Sequence, residues 1–209
     1  ITLLGTAEER NAIFKQLQLL TDDNLTLDLE TGVVSYENAD SIERHVGTNL
    51  LREAIDSELV CEINFNSSNV CNTYTPTDLS LENCDIKLAV NYSKEVLTKN
   101  RYGDIQPEAF PQYIALGHEL IHFVHSVRNE FTKNEMKGLH YYKDLSGNYV
   151  SETNPNEEYN TVGLKYYVVS QGKNGIMFYN SFNGDNFKYT ENKLRSENNI
   201  NERIMYYKE

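Results

Sequence analysis

The stretch "ALGHELIHFVHS", Ala115 to Ser126, holds three of the chain's five histidines, with an acid between the first two. Apolar residues recur at three and four through this region, at Phe110, Ile114, Ala115, Ile121, Val124 and Val127, and the spacing predicts a long helix from Pro107 to Arg128. Residues four apart on a helix stand one turn apart on the same face. The imidazoles of His118 and His122 can therefore reach a single tetrahedral zinc ion. Glu119 is rotated about 100° from His118, which puts it beside such an ion rather than on it. That is the position of a general base for a metal-activated water. His125 falls on the same face again, but seven residues rise about 10.5 Å along a straight helix. With zinc–nitrogen distances near 2.1 Å, His118 and His125 cannot share one metal, so His125 reads as structural.

The remaining pattern is that of a mixed α+β domain. A chain of 209 residues is long enough for one sizeable core and short for two, so one domain over residues 1–209 is expected. "GTAEERNAIFKQLQLLTDD" has the apolar spacing of an amphipathic helix with acids near its start. "LTLDLETGVVSYEN" alternates on both sides of Thr31-Gly32 and predicts a hairpin. A second helix is expected in "TNLLREAIDSE", and short strands in "LVCEINFN" and "DIKLAVNYS". After the histidine helix comes an irregular region with one hairpin. A further helix should start at Asn154-Pro155, with Asn154 as N-cap, and a last one should be entered at Thr190.

A catalytic zinc needs one more protein ligand while leaving a position open to water. "NPNEEYNTVGL" offers Glu157 and Glu158, which lie 35 and 36 residues after His122 at the start of the expected helix. Two acids in a first helical turn also complement the helix dipole, which is the alternative role for this pair.

These residues carry a resemblance. "GHELIHFVH", "EEYNTVG" and "YTENKLRSENNINERIMYY" resemble, in order, three motifs of the clostridial neurotoxin light chains, and still more those of the shorter NleD-like effector metalloproteases that Gram-negative pathogens inject into host cells. The longer metzincin pattern is excluded, since it requires Gly at 125 and His at 128, where this chain has His125 and Arg128. The resemblance implies a zincin-like fold, with the histidine helix packed on a small mixed sheet. It implies that His118, His122 and Glu158 are zinc ligands, that Glu119 is the general base, and that Glu157 stands behind the ligands; the 35-residue separation usual in the toxins would pick Glu157 as the ligand, and alignment on Thr161 and Gly163 picks Glu158. It makes Glu191 an acid that orients a ligand histidine. It also pairs Arg203 with Tyr206 in an Arg-x-x-Tyr motif, and on one helical turn the guanidinium and phenol would face the oxyanion of peptide hydrolysis. Delivery by a secretion system into the host cytoplasm follows from the same resemblance, as does cleavage of host signalling proteins. Family members cut stress-activated MAP kinases in the activation loop.

Composition narrows the partners. A net charge of −12 argues against nucleic acid and against anionic membrane surfaces, both of which call for clustered Lys and Arg. No stretch has the apolar length of a membrane-spanning helix, no secretory signal is visible in "ITLLGTAEER", and a monomer is expected. Cys61, Cys71 and Cys84 cannot all pair within one molecule and read as free thiols, one disulfide being the alternative. Two other functions fit parts of the pattern. One is an inactive binding module with a closed structural zinc site, which would recruit His125, His140, Asp144 or a cysteine. The other is a deformylase-type hydrolase with Cys84 as a ligand, although "ENCDIK" lacks the glycine-rich context such a ligand needs. Substrate specificity is expected in the loops Asn66 to Ser80 and Phe131 to Ser151.

Overall fold

In the computed structural model, which describes residues 1–66, 73–76, 83–89, 94–132, 136–171, 174 and 177–206, the chain is mixed α+β, with five α-helices and several small sheets among the described residues. It groups into two compact units, Ile1–Ser93 with Pro111–Glu130, and Lys94–Phe110 with Phe131–Glu209. Cys71 and most of the loop from Asn66 to Ser80 lie outside the described residues.

The first unit contains β1 (Thr2–Leu3), α1 (Ala7–Leu20), β2 (Asn24–Leu27), β3 (Val34–Glu37), α2 (His45–Ile55), β4 (Val60–Asn66), β5 (Thr73–Pro76), β6 (Asn83–Ala89) and α3 (Gln112–Val127). A capping box starts α1: the Thr6 hydroxyl accepts from Glu9 N–H at 3.2 Å and the Glu9 carboxylate accepts from Thr6 N–H at 2.7 Å. From that start, Ile13, Leu17 and Leu20 share one buried face, and α1 packs on β4 and α3. The sheet runs β1-β4-β6-β5, with β4 parallel to β1 and β6, and β5 antiparallel to β6. Cys61 and Cys84 face each other in register on β4 and β6, both buried. The expected hairpin forms between β2 and β3. Gly32 is required there, because its φ is +77° and a Cβ would meet the Leu3 carbonyl oxygen at 2.1 Å. Helix α2 starts at His45, three residues before the stretch expected to be helical.

The second unit contains β7 (Glu95–Lys99), β8 (Ile105–Ala109), β9 (Lys137–Lys143), β10 (Tyr149–Pro155), α4 (Asn156–Val162), β11 (Lys165–Gln171), β12 (Met177–Asn183), a 3-10 turn (Gly184–Asn186), α5 (Glu191–Glu197) and β13 (Glu202–Arg203). Two sheets form, β10-β9-β11-β12 and β13-β7-β8, both antiparallel. Tyr159, Val162, Leu164 and Tyr166 make a core cluster, against which Val168 and Tyr206 pack.

Three expectations need correction. The histidine helix starts at Gln112, because Pro111 is its N-cap at φ −62° and disfavours helix at Phe110. Pro107 belongs instead to β8, and the Phe110 N–H donates to the Lys94 carbonyl at 2.8 Å. Helix α4 is capped by Pro155 rather than Asn154, whose amide donates to the Tyr159 hydroxyl from strand β10. Arg203 lies on a strand, and no helical turn joins it to Tyr206.

The first unit is tied together by Asp23, whose side chain is almost wholly buried. Its carboxylate accepts two bonds of 2.6 Å from the Arg52 guanidinium and one of 2.9 Å from Ala39 N–H. The Arg52 hydrogen bond is the largest of the influences that hold the Asp23 pKa below its ordinary value. A depressed carboxylate stabilises the fold above its unfolded pKa, and that stability is lost as pH falls through the lowered folded value. Asp23→Ala should cost about 2 kcal/mol near neutrality, as expected for removing the buried partner of a charged pair whose other member, Arg52, still reaches solvent. In denaturant titrations, the gap between wild type and Asp23→Asn should shrink below about pH 4, where the free carboxyl protonates.

Candidate metal centre and its surroundings

Helix α3 is buried from Ile114 through His125 without interruption. The Gln112 amide fixes its start by donating to the Ala89 carbonyl at 2.7 Å, and Arg128 fixes its end by pairing with Glu53 at 3.0 Å. It packs on α1, α2, β5 and β6. Within it the His118 and His122 rings meet edge to face, centroids 4.8 Å apart, with their Nε2 atoms 3.2 Å apart. Two nitrogens held about 2.0–2.1 Å from one tetrahedral ion would be about 3.3 Å apart. The pair therefore has the spacing of two ligands on one ion. Glu119 is buried beside them and His125 is buried one turn further on.

In the second unit, Glu157 is fully buried at the start of α4. Its carboxylate accepts from Thr132 N–H at 2.9 Å and from the Thr161 hydroxyl at 3.2 Å. Glu158, the next residue, is half-buried. Gly163 ends the helix at φ +91°, and a Cβ there would press on Thr190 at 3.0 Å. The segment "EEYNTVG" is thus one local design: a buried acid, a hydroxyl one turn later to bond it, and a glycine to stop the helix.

The third cluster is built around Glu191. Thr190 caps α5 through its hydroxyl, which accepts from Lys193 N–H at 3.2 Å. Glu191, one residue on, is buried with both oxygens bonded at 2.7 Å, one by Arg195 Nε and the other by Arg203 Nη1. Both guanidiniums lie over the Phe110 ring, with Cζ 4.9 and 5.2 Å from its centroid. Arg203 also donates to the carbonyls of Met205 and Tyr206, and its Cζ is 5.0 Å from the centre of the Tyr206 ring. Its backbone is held by Asn192, which accepts from Arg203 N–H at 2.8 Å and donates to its carbonyl at 2.9 Å. The chain thus brings together His118 with His122, and Glu191 with Arg203.

The profile of the Peptidase_M91 family, described as effector protein, matches residues 37–206, which include all of these residues. The chain belongs to the Peptidase_M91 family. No curated protein and no solved structure shows a significant match. Membership makes the chain an effector protease of the NleD-like family. It implies a host protein as substrate and, from the metallopeptidase class of the family, a metal. No helix among the described residues is long and apolar enough to cross a membrane.

Sequence reasoning on this Peptidase_M91 chain missed Arg195, Asn192 and Phe110. Only Arg195 had a local signal, since it stands four residues after Glu191 on a helix, the spacing of an intrahelical ion pair. Glu191→Ala should be severe, because it leaves two buried guanidiniums without their shared carboxylate. A loss of about 3–5 kcal/mol in chemical denaturation is expected. Glu191→Gln, which keeps one acceptor oxygen, should fall between that variant and wild type.

Proposed function

We propose that this chain is a zinc-dependent endopeptidase, one zincin-like domain over residues 1–209, acting as a monomer in the cytoplasm of a host cell on host signalling proteins, protein kinases among them. The observation that carries the reading is the pair of buried imidazoles on α3, their Nε2 atoms 3.2 Å apart beside Glu119, in a chain whose family is a peptidase family. His118, His122 and Glu158 hold the metal. Two imidazoles and one carboxylate form the donor set of catalytic zinc, leaving a fourth position for water. Glu157 is committed to Thr132 and Thr161, which favours Glu158 as the ligand.

Zinc bound there would polarise a water and the scissile carbonyl. Glu119 takes the proton of that water as it attacks, then passes it to the leaving amine. Arg203 and Tyr206 serve the oxyanion, the phenol as a hydrogen-bond donor and the guanidinium as the group that holds the tyrosine's backbone in place. The deformylase reading finds no support: Cys84 is buried on the sheet, in register with Cys61 of the neighbouring strand.

Metal analysis of the purified chain should find about one zinc per molecule, as a three-ligand catalytic site requires. The zinc should be lost from His118→Ala and His122→Ala and retained by Glu119→Gln. In host-cell lysate, new protein N-termini should appear with wild type, and Glu119→Gln should reduce them by at least about a hundredfold. Equal cleavage by the two proteins would overturn the role of Glu119, and a metal-free active enzyme would overturn the mechanism.

A further inference from the structure

The sheet β10-β9-β11-β12 has two unlike faces. Successive side chains of a strand point to opposite sides, and directly paired residues share a side. The register pairs Tyr149 with Lys143, Tyr167 with Leu139 and Lys165 with Asn183, so the odd-numbered residues of all four strands stand together on one face. The even-numbered face is the inner one. There Tyr166 stacks with both Tyr159 and Phe182, ring centroids 5.4 Å apart in each pair, and His140 lies 5.6 Å from Tyr159.

The odd-numbered face is turned to water, yet it is not the polar surface that an antiparallel sheet ordinarily presents there. Tyr149 is 76% exposed, Tyr179 60% and Tyr141 50%, and Val169 and Met177 are exposed on it as well. Its side chains touch across the strands. The Lys143 ammonium lies 5.2 Å from the centre of the Tyr149 ring, Tyr141 meets Tyr167 edge to face at 6.0 Å, and the Lys165 ammonium lies 5.6 Å from the centre of the Tyr167 ring. Charge sets the face apart too. The chain has 31 acids against 19 Lys and Arg, but Lys137, Lys143 and Lys165 stand on this face and no Asp or Glu does. Among the described residues neither Lys143 nor Lys165 is paired with a carboxylate. In the cleft at the end of the face, by contrast, Lys99 is paired with Glu202 at 3.4 Å and Lys193 with Asp185 at 3.7 Å. That cleft, of about 850 Å³, shares Tyr141, Lys143, Tyr149 and Lys165 with the face and is also lined by Arg203.

We propose that this face docks an extended segment of the host protein substrate in which acidic residues alternate with apolar ones. The carboxylates pair with Lys143 and Lys165, and the apolar side chains lie on the tyrosine rings. The proposal rests on the peptidase reading above and names what the substrate presents away from the scissile bond. A nucleic-acid strand would stack on the same tyrosines, but it carries a charge at every nucleotide and would meet the net −12 of the chain. Beyond about 8 Å that field is screened, so a segment with a few carboxylates feels mainly the lysines beneath it.

The test uses the zinc-loaded full chain with Glu119→Gln, so that binding is read without cleavage. The probe is a fluorescent peptide of about eight alternating Glu and Leu residues, long enough at about 3.3 Å per residue to cross strands about 4.8 Å apart. Anisotropy should show it binding at least about tenfold tighter than its Gln–Leu counterpart and than oligothymidylate of the same length, and more weakly as salt rises. Lys143→Glu with Lys165→Glu should weaken it about tenfold, the scale of two exposed charge pairs turned repulsive. Should that double reversal not fold, Lys143→Gln with Lys165→Gln should still weaken it severalfold. Lys15→Glu, exposed on α1, should leave it unchanged. With Glu119 restored, the double reversal should lower kcat/KM about tenfold on host proteins that wild type cuts, through KM with kcat unchanged. Equal binding of the Gln–Leu peptide, indifference to the two lysines, or an unchanged KM would overturn the proposal. Oligothymidylate bound as tightly as the Glu–Leu peptide would overturn it in favour of nucleic acid. A wild type without peptidase activity would sink the peptidase reading, and the anisotropy would then decide by itself whether the face takes an acidic segment.

Discussion

The first unit is organised around one constraint: a helix buried over twelve consecutive residues that nevertheless carries three imidazoles and a carboxylate. Burying a polar side chain without a partner costs about 1–3 kcal/mol, so a buried run with these four residues is tolerated only where the groups satisfy one another or bind something. His118 and His122 turn their Nε2 atoms toward each other at 3.2 Å. Two facing lone pairs repel, and a proton or a cation between them removes the repulsion. The scaffold holds this arrangement in place rather than letting it relax. Gln112 pins the start of α3 to the carbonyl of Ala89, Arg128 pins its end to Glu53, and Leu120 and Ile121 fill the positions between the two imidazoles with apolar bulk.

The second unit solves a comparable problem with charge. Between α5 and Tyr206, β13 is two residues long. What gives Arg203 and Tyr206 defined positions is side-chain bonding to the backbone. Asn192 pairs with both backbone groups of Arg203, as a neighbouring strand would. The Arg203 guanidinium folds back onto the carbonyls of Met205 and Tyr206, and Glu191 neutralises it where water is excluded. Buried ion pairs seldom add much stability over apolar packing, but they are strict about geometry. Under the proposed function that strictness matters, because a phenol that is to serve an oxyanion is of use only at one distance.

What the sequence made legible follows from the range over which each signal acts. Helix α1, the hairpin around Gly32, the helix entered at Thr190 and the imidazole pair of α3 are all decided within a few residues, and periodicity and turn signals find them. Phe110 fits the helical spacing as well as it fits a strand end, and the choice is made by the Lys94 carbonyl sixteen residues upstream. Arg203 and Tyr206 have the i, i+3 spacing of a helical pair, yet the bonds that place them come from Asn192, Glu191 and Glu152. Strands β11 and β12 escape because β12 is exposed along its whole length, so apolar alternation never reports a buried face. His140 and Glu152 become neighbours only once the register of a hairpin is known.

The two acids of α4 show how such long-range detail bears on chemistry. Counting residues from His122 prefers Glu157, while aligning Thr161 and Gly163 prefers Glu158. Consecutive helical residues point about 100° apart, so only one of them can share the direction of a given neighbour. Glu157 takes the inward direction, where its oxygens accept from the Thr132 amide and the Thr161 hydroxyl, and Asn160 braces Thr132 by donating to its hydroxyl at 3.1 Å. A carboxylate whose lone pairs already accept two hydrogen bonds has less to give a cation. Glu157 serves better as the anchor that ties the segment after α3 to the start of α4, and that anchoring fixes the direction in which Glu158 leaves the helix. The adjacent acids thus divide the work: Glu157 sets the position of the helix, and Glu158 is left for the ligand role proposed for it.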